Sequence, residues 1–120
     1  MSDKINTGNK GETLAADFLA AKGYEIVERN YRYKHAEIDL IARRDDWVLF
    51  VEVKTRTSTT FGQPEEFVDE RKTRTLFDAA EEWIYSTDWK GHVRFDIVSV
   101  KMSNDQANGP EIEHFEDAIN

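Results

Sequence analysis

Three ionisable residues interrupt two apolar runs near the middle of the chain. Asp39 lies within EIDLIA (37–42), and Glu52 and Lys54 lie within FVEVKTR (50–56). An ionised group in a buried strand needs a partner, a metal ion or a chemical role, because its removal from water is costly. Two facing carboxylates also repel each other unless a proton or a cation relieves the repulsion. Carboxylate oxygens are the ligands that Mg2+ and Mn2+ prefer.

A divalent ion at this position would give the three residues a hydrolytic chemistry. It would polarise a phosphodiester oxygen and lower the pKa of a water molecule, while Lys54 would orient that water or stabilise the charge of the transition state. Asp39, Glu52 and Lys54 are therefore the candidate catalytic residues, with Mg2+ or Mn2+ as the cofactor. The alternative is an ordinary salt bridge at a sheet end, between Lys54 and either Asp39 or Glu37, and the spacing alone does not decide between them.

The two apolar runs read as antiparallel strands joined by a turn at Asp45-Asp46. Folding the chain about this turn brings Asp39 opposite Glu52, with their Cβ atoms about 5 Å apart on one side of the sheet. Alternation along the strand adds Lys54 to the same side. The hairpin therefore predicts that the candidate residues meet.

A helix is predicted over residues 8–22, GNKGETLAADFLAAK, where apolar residues recur at helical spacing and Gly23 ends the helix. Glu12 lies in its first turn and would complete the carboxylate shell of a metal if the helix packs over the hairpin. A carboxylate in a first helical turn is also explained by the helix dipole, and the spacing leaves both explanations open.

The rest of the chain supplies a sheet and a second helix. The patterns predict a strand over 24–30, a polar connection over 30–36, the hairpin strands, a polar loop over 55–64, a helix from Asp69 to Thr87, a strand over 92–102 and an edge strand over 111–115. The order αβββαββ is typical of a mixed β-sheet flanked by helices in the α/β class. Without a repeat or a linker, residues 1–120 are expected to form a single domain.

Five residues around the hairpin are candidates for contacting a nucleic acid: Arg32, Lys34, Arg56, Gln63 and Lys72. The first two alternate with Tyr31 and Tyr33, and aromatic residues between bases can stack on nucleotides. An ordinary surface loop with half-buried tyrosines is the simpler explanation. For Lys72, a surface lysine whose stem covers apolar surface is likewise the simpler explanation.

The composition limits the class of protein. With 39% hydrophobic and 33% charged residues and no cysteine, the chain reads as a soluble globular protein without disulfides or thiolate chemistry. No apolar run approaches the ~20 residues of a membrane helix, and no signal sequence is evident, so a cytoplasmic protein without a membrane partner is expected. The net charge of −8 opposes polyanion binding, but residues 1–56 contain ten basic and ten acidic residues, so the deficit lies in the second half.

The motifs GNKGE (8–12), EIDLIA (37–42), FVEVKTR (50–56), Lys72 and RFDIVSV (94–100) occur in this order. Together they resemble the bacterial YraN-like family, which is similar to the PD-(D/E)xK restriction-endonuclease-like superfamily and to archaeal Holliday junction resolvases. The resemblance implies a nuclease core in which Asp39 and Glu52 bind the metal and Lys54 assists the water. It also implies that Glu12 supports the metal.

Two positions depart from the family pattern, because Ala36 stands where glycine is usual and Asn9 where arginine is common. Neither change removes an expected ligand. The resulting expectation is a metal-dependent DNA nuclease that acts on double-stranded or branched DNA. One form of this hypothesis has the protein act as a homodimer. The alternative is a catalytically inactive nucleic-acid-binding or protein-interaction module, since a nuclease fold does not by itself establish turnover.

Overall fold

The computed structural model describes residues 3–57, 70–102 and 109–119, with the backbone alone for residues 3–9, 57, 70 and 71. The elements along these residues are α1 (Asp3–Ala21), β1 (Glu25–Tyr33), β2 (Ala36–Arg44), β3 (Trp47–Thr57), α2 (Glu70–Thr87), β4 (His92–Met102) and β5 (Glu111–Phe115). The predicted order αβββαββ is therefore confirmed.

The described strands form one five-stranded sheet in the order β1-β2-β3-β4-β5. Strands β3 and β4 are parallel, and every other neighbouring pair is antiparallel. Parallel neighbours require a long crossover connection, and α2 lies within the one that joins β3 to β4. This mixed sheet with flanking helices agrees with the restriction-endonuclease-like class expected from the sequence.

The two helices pack on opposite faces of the sheet. The α2-side core combines apolar residues of that helix with others from β2, β3 and β4, among them Leu76, Ala80, Trp83, Ile38, Phe50 and Ile97. The α1-side core does the same on the other face and includes Ala15, Leu19, Leu40, Leu49, Val51 and Val98. Within the described ranges, no helix is both long and apolar enough to cross a membrane.

The central hairpin has the predicted turn, and the predicted register holds as far as Leu40↔Val51, so Asp39 and Glu52 are not a ladder pair in the described strands. Its pairs run from Arg44↔Trp47 to Leu40↔Val51 around the Asp45-Asp46 turn, where Asp45 adopts the left-handed backbone conformation with φ of 56°. Aspartate is among the few residues that tolerate this conformation. The turn therefore fixes the alignment that brings the two acidic strands together.

The predicted connection over 30–36 is wrong, because β1 continues to Tyr33. Tyr31 pairs with Ile38 and Tyr33 with Ala36, so pairing with β2 satisfies the backbone of a stretch whose polar composition favoured a loop. The same two tyrosines pack against the α2-side core, which agrees with the expected half-burial. One further boundary differs, since α1 begins at Asp3 rather than at residue 8. The predicted start of α2 at Asp69 lies outside the described residues.

Candidate active site

Strand β2 is irregular at Asp39. Ile38 packs in the α2-side core, whereas Leu40 packs in the α1-side core, although regular alternation would keep residues two apart on one face. The ladder between β2 and β3 reaches only Leu40↔Val51. Beyond it, the Val53 backbone N–H donates a hydrogen bond of 2.8 Å to Asp39 Oδ2. Where the two strands separate, the Asp39 carboxylate thus accepts the hydrogen bond of a β3 backbone N–H in place of a β2 carbonyl.

Glu52 lies on β3 and is buried, with 6% of its surface exposed. Its Oε1 atom accepts a hydrogen bond from Lys72 Nζ and lies 3.4 Å from Lys54 Nζ. One carboxylate oxygen therefore contacts two lysine side chains, one from its own strand and one from α2. The sequence predicted neither the contact with Lys72 nor the sharing of one oxygen.

The salt-bridge alternative takes a different form from the one expected. Within the described residues, Lys54 pairs with Glu52 and not with Asp39 or Glu37. Glu37 instead pairs with Arg32, whose Nε lies 2.9 Å from Glu37 Oε2 near the surface. Asp39 thus lies beside the paired Glu52 without an ion pair of its own in this part of the structure.

The electrostatics of the site follow from this crowding of charges. Burial is the largest of the causes that raise the pKa of Asp39 to about 7, and the negative charge of Glu52 is the second. The hydrogen bond from Val53 opposes this shift. Burial and the contact with Lys72 lower the pKa of Lys54 below that of an ordinary lysine. Burial would also lower the pKa of Lys72, but its contacts with Glu52 and Lys54 raise it. Opposite shifts in neighbouring groups are typical of catalytic sites.

Glu12 approaches the same carboxylates from α1, since its charge contributes to the raised pKa of Asp39. Its Oε1 atom is buried without a hydrogen-bond partner in the described structure, and Arg29 Nη2 lies 3.6 Å away. The helix can come this close because Gly11 faces Thr55 of β3, where a Cβ atom would overlap Thr55 Oγ1. The helix-dipole explanation does not apply to Glu12, because α1 begins at Asp3 and Glu12 lies beyond its first turn.

Gly11 is a site residue that sequence reasoning missed. A glycine inside a helix costs roughly 1 kcal/mol relative to alanine, so its presence within GNKGE was a signal of a packing constraint. Thr75 and His35 were also missed, and both line the cavity that opens onto Asp39 and Glu52, called the site cavity below. Thr75 could have been found from its spacing of three residues from Lys72, which puts the two on one face of a helix.

A cavity of about 250 Å³ opens onto the acids and includes Asp39, Glu52 and Lys72 in its lining. A neighbouring cavity of about 640 Å³ shares His35, Ala36 and Thr75 with it. Three α2 acids line the larger cavity: Asp78, Glu81 and Glu82. The candidate site therefore lies between the β1–β2 turn and α2, next to an acidic opening.

The structure distributes the five nucleic-acid candidates unevenly. Lys72 contacts Glu52 in the site, and Lys34 lines the neighbouring cavity. Arg32 is exposed and paired with Glu37, Arg56 is partly buried in β3, and Gln63 lies outside the described residues. Of the predicted catalytic and metal-binding residues, Asp39, Glu52, Lys54 and Glu12 all lie in one region. In the described residues, however, no three histidine, aspartate or glutamate side chains are arranged to hold a metal ion.

Comparisons with known proteins agree with the resemblance drawn from the motifs. Residues 11–100 match the model of a family described as "Uncharacterised protein family UPF0102". A UPF0102 protein of Flavobacterium psychrophilum is 42% identical over 119 residues, covering 99% of this chain and 98% of the relative. A UPF0102 protein of Rhodococcus opacus is 42% identical over 99% of this chain and the whole relative. One from Caldanaerobacter subterraneus is 40% identical over 98% and 97%.

Proposed function

Because this chain belongs to the uncharacterised protein family UPF0102, whose name specifies no activity, we propose a function from its site: a metal-dependent nuclease that hydrolyses DNA phosphodiester bonds. The proposed substrate is double-stranded or branched DNA. The resemblance to the YraN-like family, which these comparisons confirm, supplies the analogy with structure-specific resolvases. The site supplies the chemical argument.

The observation that carries the proposal is the placement of Asp39 beside the buried Glu52 in one cavity, which raises the pKa of Asp39 to about 7. A protein gains no stability from a carboxylate buried beside a second carboxylate, because each disfavours the ionised form of the other. The fold nevertheless holds Asp39 there, with a hydrogen bond from Val53. Such an arrangement is expected where a cation binds during function.

The donor set fits a hard divalent ion. Asp39 and Glu52 would hold Mg2+ or Mn2+ through carboxylate oxygens, and Glu12 Oε1, which has no hydrogen-bond partner among the described residues, would lie on the α1 side. When bound, the ion would neutralise the acids and polarise a phosphodiester group. Burial is the main cause of the lowered pKa of Lys54. Beside Glu52, Lys54 would accept a proton from the attacking water or orient that water. Val53 would keep Asp39 in place through its N–H.

A cleavage assay tests the proposal. Plasmid, single-stranded and four-way-junction DNA would be incubated with purified protein in Mn2+, in Mg2+ and in EDTA. We expect cleavage with metal only, and a loss of at least about 100-fold in Asp39→Asn and Glu52→Gln, because each removes a carboxylate charge that would hold the metal ion.

Asp88→Asn is the matched control, since Asp88 is an exposed residue whose side chain is 82% accessible. It makes the same chemical change away from the site and should leave cleavage intact. Cleavage that persists in Asp39→Asn and Glu52→Gln would identify a contaminating nuclease and refute the proposal.

A second candidate function is a non-catalytic nucleic-acid-binding or protein-interaction module on the same fold. It is supported by the net charge of −8, which repels a polyanion, and by the two lysines that already neutralise Glu52. For such a module, calorimetry would detect no Mn2+ binding and Lys54→Met would leave stability unchanged or raised. A heat of Mn2+ binding that disappears in Asp39→Asn would favour the nuclease.

A further inference from the structure

Two lysines contact one oxygen of Glu52, but they reach it from different elements. Lys54 extends from β3, two residues along the strand from Glu52, and its side chain is 16% exposed. Lys72 extends from the start of α2, and its side chain is 40% exposed. Lys54 is therefore held by the sheet and its surroundings, whereas Lys72 has solvent beside it.

The position of Lys72 coincides with the place where a cation is needed. Its ammonium group contacts Glu52, and its charge also interacts favourably with Asp39. It lines the same cavity as both acids. An ammonium group in this position partly relieves the repulsion between the two carboxylates, which is the electrostatic role that a divalent ion would have.

An ammonium group and a divalent ion would compete for the oxygen that Lys72 contacts, which Lys54 also approaches. Both are attracted to the same lone pairs, and each would repel the other at this distance in a site of low dielectric constant. The lysine stem has four rotatable carbons, so the head group can move into solvent while its helix stays in place. Lys54 has less room for such a movement.

We propose that Lys72 is a displaceable internal cation, which neutralises Glu52 in the metal-free protein and must leave it when Mg2+ or Mn2+ binds. The inference rests on the proposed metal site and deepens it. Lys72 thus weakens metal binding and stabilises the protein without metal. Once displaced, its ammonium group lies at the mouth of the site cavity, where it is placed to contact a phosphate of the DNA.

The test compares Mn2+ binding by isothermal calorimetry, with the unfolding temperature of each variant measured in EDTA and in Mn2+. Lys72→Met removes the competing ammonium group and keeps a stem of similar length. We expect it to bind Mn2+ roughly tenfold more tightly than the wild type. Its unfolding temperature should be lower than that of the wild type in EDTA and should rise more on addition of Mn2+.

Lys90→Met is the matched control, because Lys90 is an exposed lysine that pairs with Asp88 on the surface. It changes the net charge by the same amount, so it reports how much of the effect is long-range attraction for a cation. We expect its Mn2+ affinity to stay within about twofold of the wild type. Lys72→Arg keeps a cation at Glu52 and should also resemble the wild type.

The outcomes separate this inference from the proposed activity. Equal Mn2+ affinity in wild type and Lys72→Met, or no Mn2+ binding in either, would overturn the displacement proposal. If Lys72→Met binds Mn2+ more tightly but no variant cleaves DNA, the internal cation stands and the nuclease proposal fails. If Lys72→Met does not fold in EDTA, Lys72→Gln replaces it, since its amide can still donate a hydrogen bond to Glu52.

Discussion

Two aspartates interrupt apolar strands in this fold, and their surroundings are opposite. Asp96 on β4 is fully buried, yet Arg94 donates two hydrogen bonds of 2.9 Å to its carboxylate and the Asp117 N–H donates a third. Asp39 on β2 accepts one backbone hydrogen bond and lies beside Glu52. Burial alone would raise the pKa of both, but the contacts with His114 and Arg94 lower that of Asp96.

The Asp96 network is extended by His114, whose Nε2 lies 2.7 Å from Asp96 Oδ2. His114 Nδ1 lies 2.9 Å from Lys22 Nζ. Because an ammonium group has no acceptor, Nδ1 accepts that hydrogen bond, and Nε2–H donates to Asp96. Every contact of Asp96 therefore favours its ionised form, as expected of a structural carboxylate.

The difference shows how a buried acid can be assigned. Burial is common to both aspartates, so burial by itself does not indicate chemistry. What distinguishes Asp39 is that its neighbours oppose its charge, an arrangement that stability alone would not favour. The following predictions test whether this contrast holds, beginning with the largest expected effect.

Asp96→Ala should destabilise the protein by about 3 to 5 kcal/mol, because it removes a fully buried carboxylate that accepts two hydrogen bonds from Arg94 and leaves the buried His114 side chain without that partner. Urea unfolding at pH 7 measures the change. Asp17→Ala, at an exposed position within α1, is the control and should change stability little. A small loss in Asp96→Ala would mean that the network contributes no more than a surface pair.

Asp39→Asn should stabilise the protein, by up to about 4 kcal/mol at pH 8 in EDTA. The folded pKa of about 7 lies above the unfolded value near 3.9. Between these values the folded state keeps a proton that the unfolded state has released, so wild-type stability falls as pH rises through this window. Below about pH 4 the carboxyl is neutral in both states, and the variant should then match the wild type.

The asparagine carbonyl can still accept the Val53 hydrogen bond, so the comparison isolates the charge. Urea unfolding of both proteins between pH 4 and pH 8 measures the difference. Stability that is lower in Asp39→Asn, or a difference that does not grow with pH, would contradict the contrast with Asp96.

Arg32→Ala should cost no more than about 0.5 kcal/mol, because its pair with Glu37 is exposed and screened by solvent. The arginine side chain is 79% exposed and that of Glu37 is 34% exposed. Thermal unfolding in low and high salt measures the effect, and a loss above 1 kcal/mol would show that pairing matters more than burial in this molecule.

The arrangement of the fold could be predicted from the sequence because local signals agreed with it. The Asp45-Asp46 turn fixed the register of the β2–β3 hairpin, and the apolar run over 92–102 matched β4. The error at 30–36 arose because Tyr31, Arg32 and Tyr33 have a loop-like composition. Their strand conformation depends on pairing with β2, which a local pattern does not contain.

The candidate site was predicted less completely, since part of it depends on contacts between distant elements. Asp39, Glu52 and Lys54 could be found because charges stand out within apolar strands. The contact between Lys72 and Glu52 could not, because it depends on how α2 is placed after the crossover. The alternation break beside Asp39, between Ile38 and Leu40, likewise leaves no mark in the sequence.

Gly11 carries no functional group, yet the space beside it is filled by Thr55. Any larger side chain would push α1 away from β3 and move the adjacent Glu12 with it. In a survey of variants scored only by the proposed nuclease activity, substitutions at Gly11 would therefore resemble those that remove the Glu12 carboxylate. The distance between α1 and β3 at Gly11 leaves no room for a side chain. The same distance determines how far the Glu12 carboxylate extends toward Asp39 and Glu52.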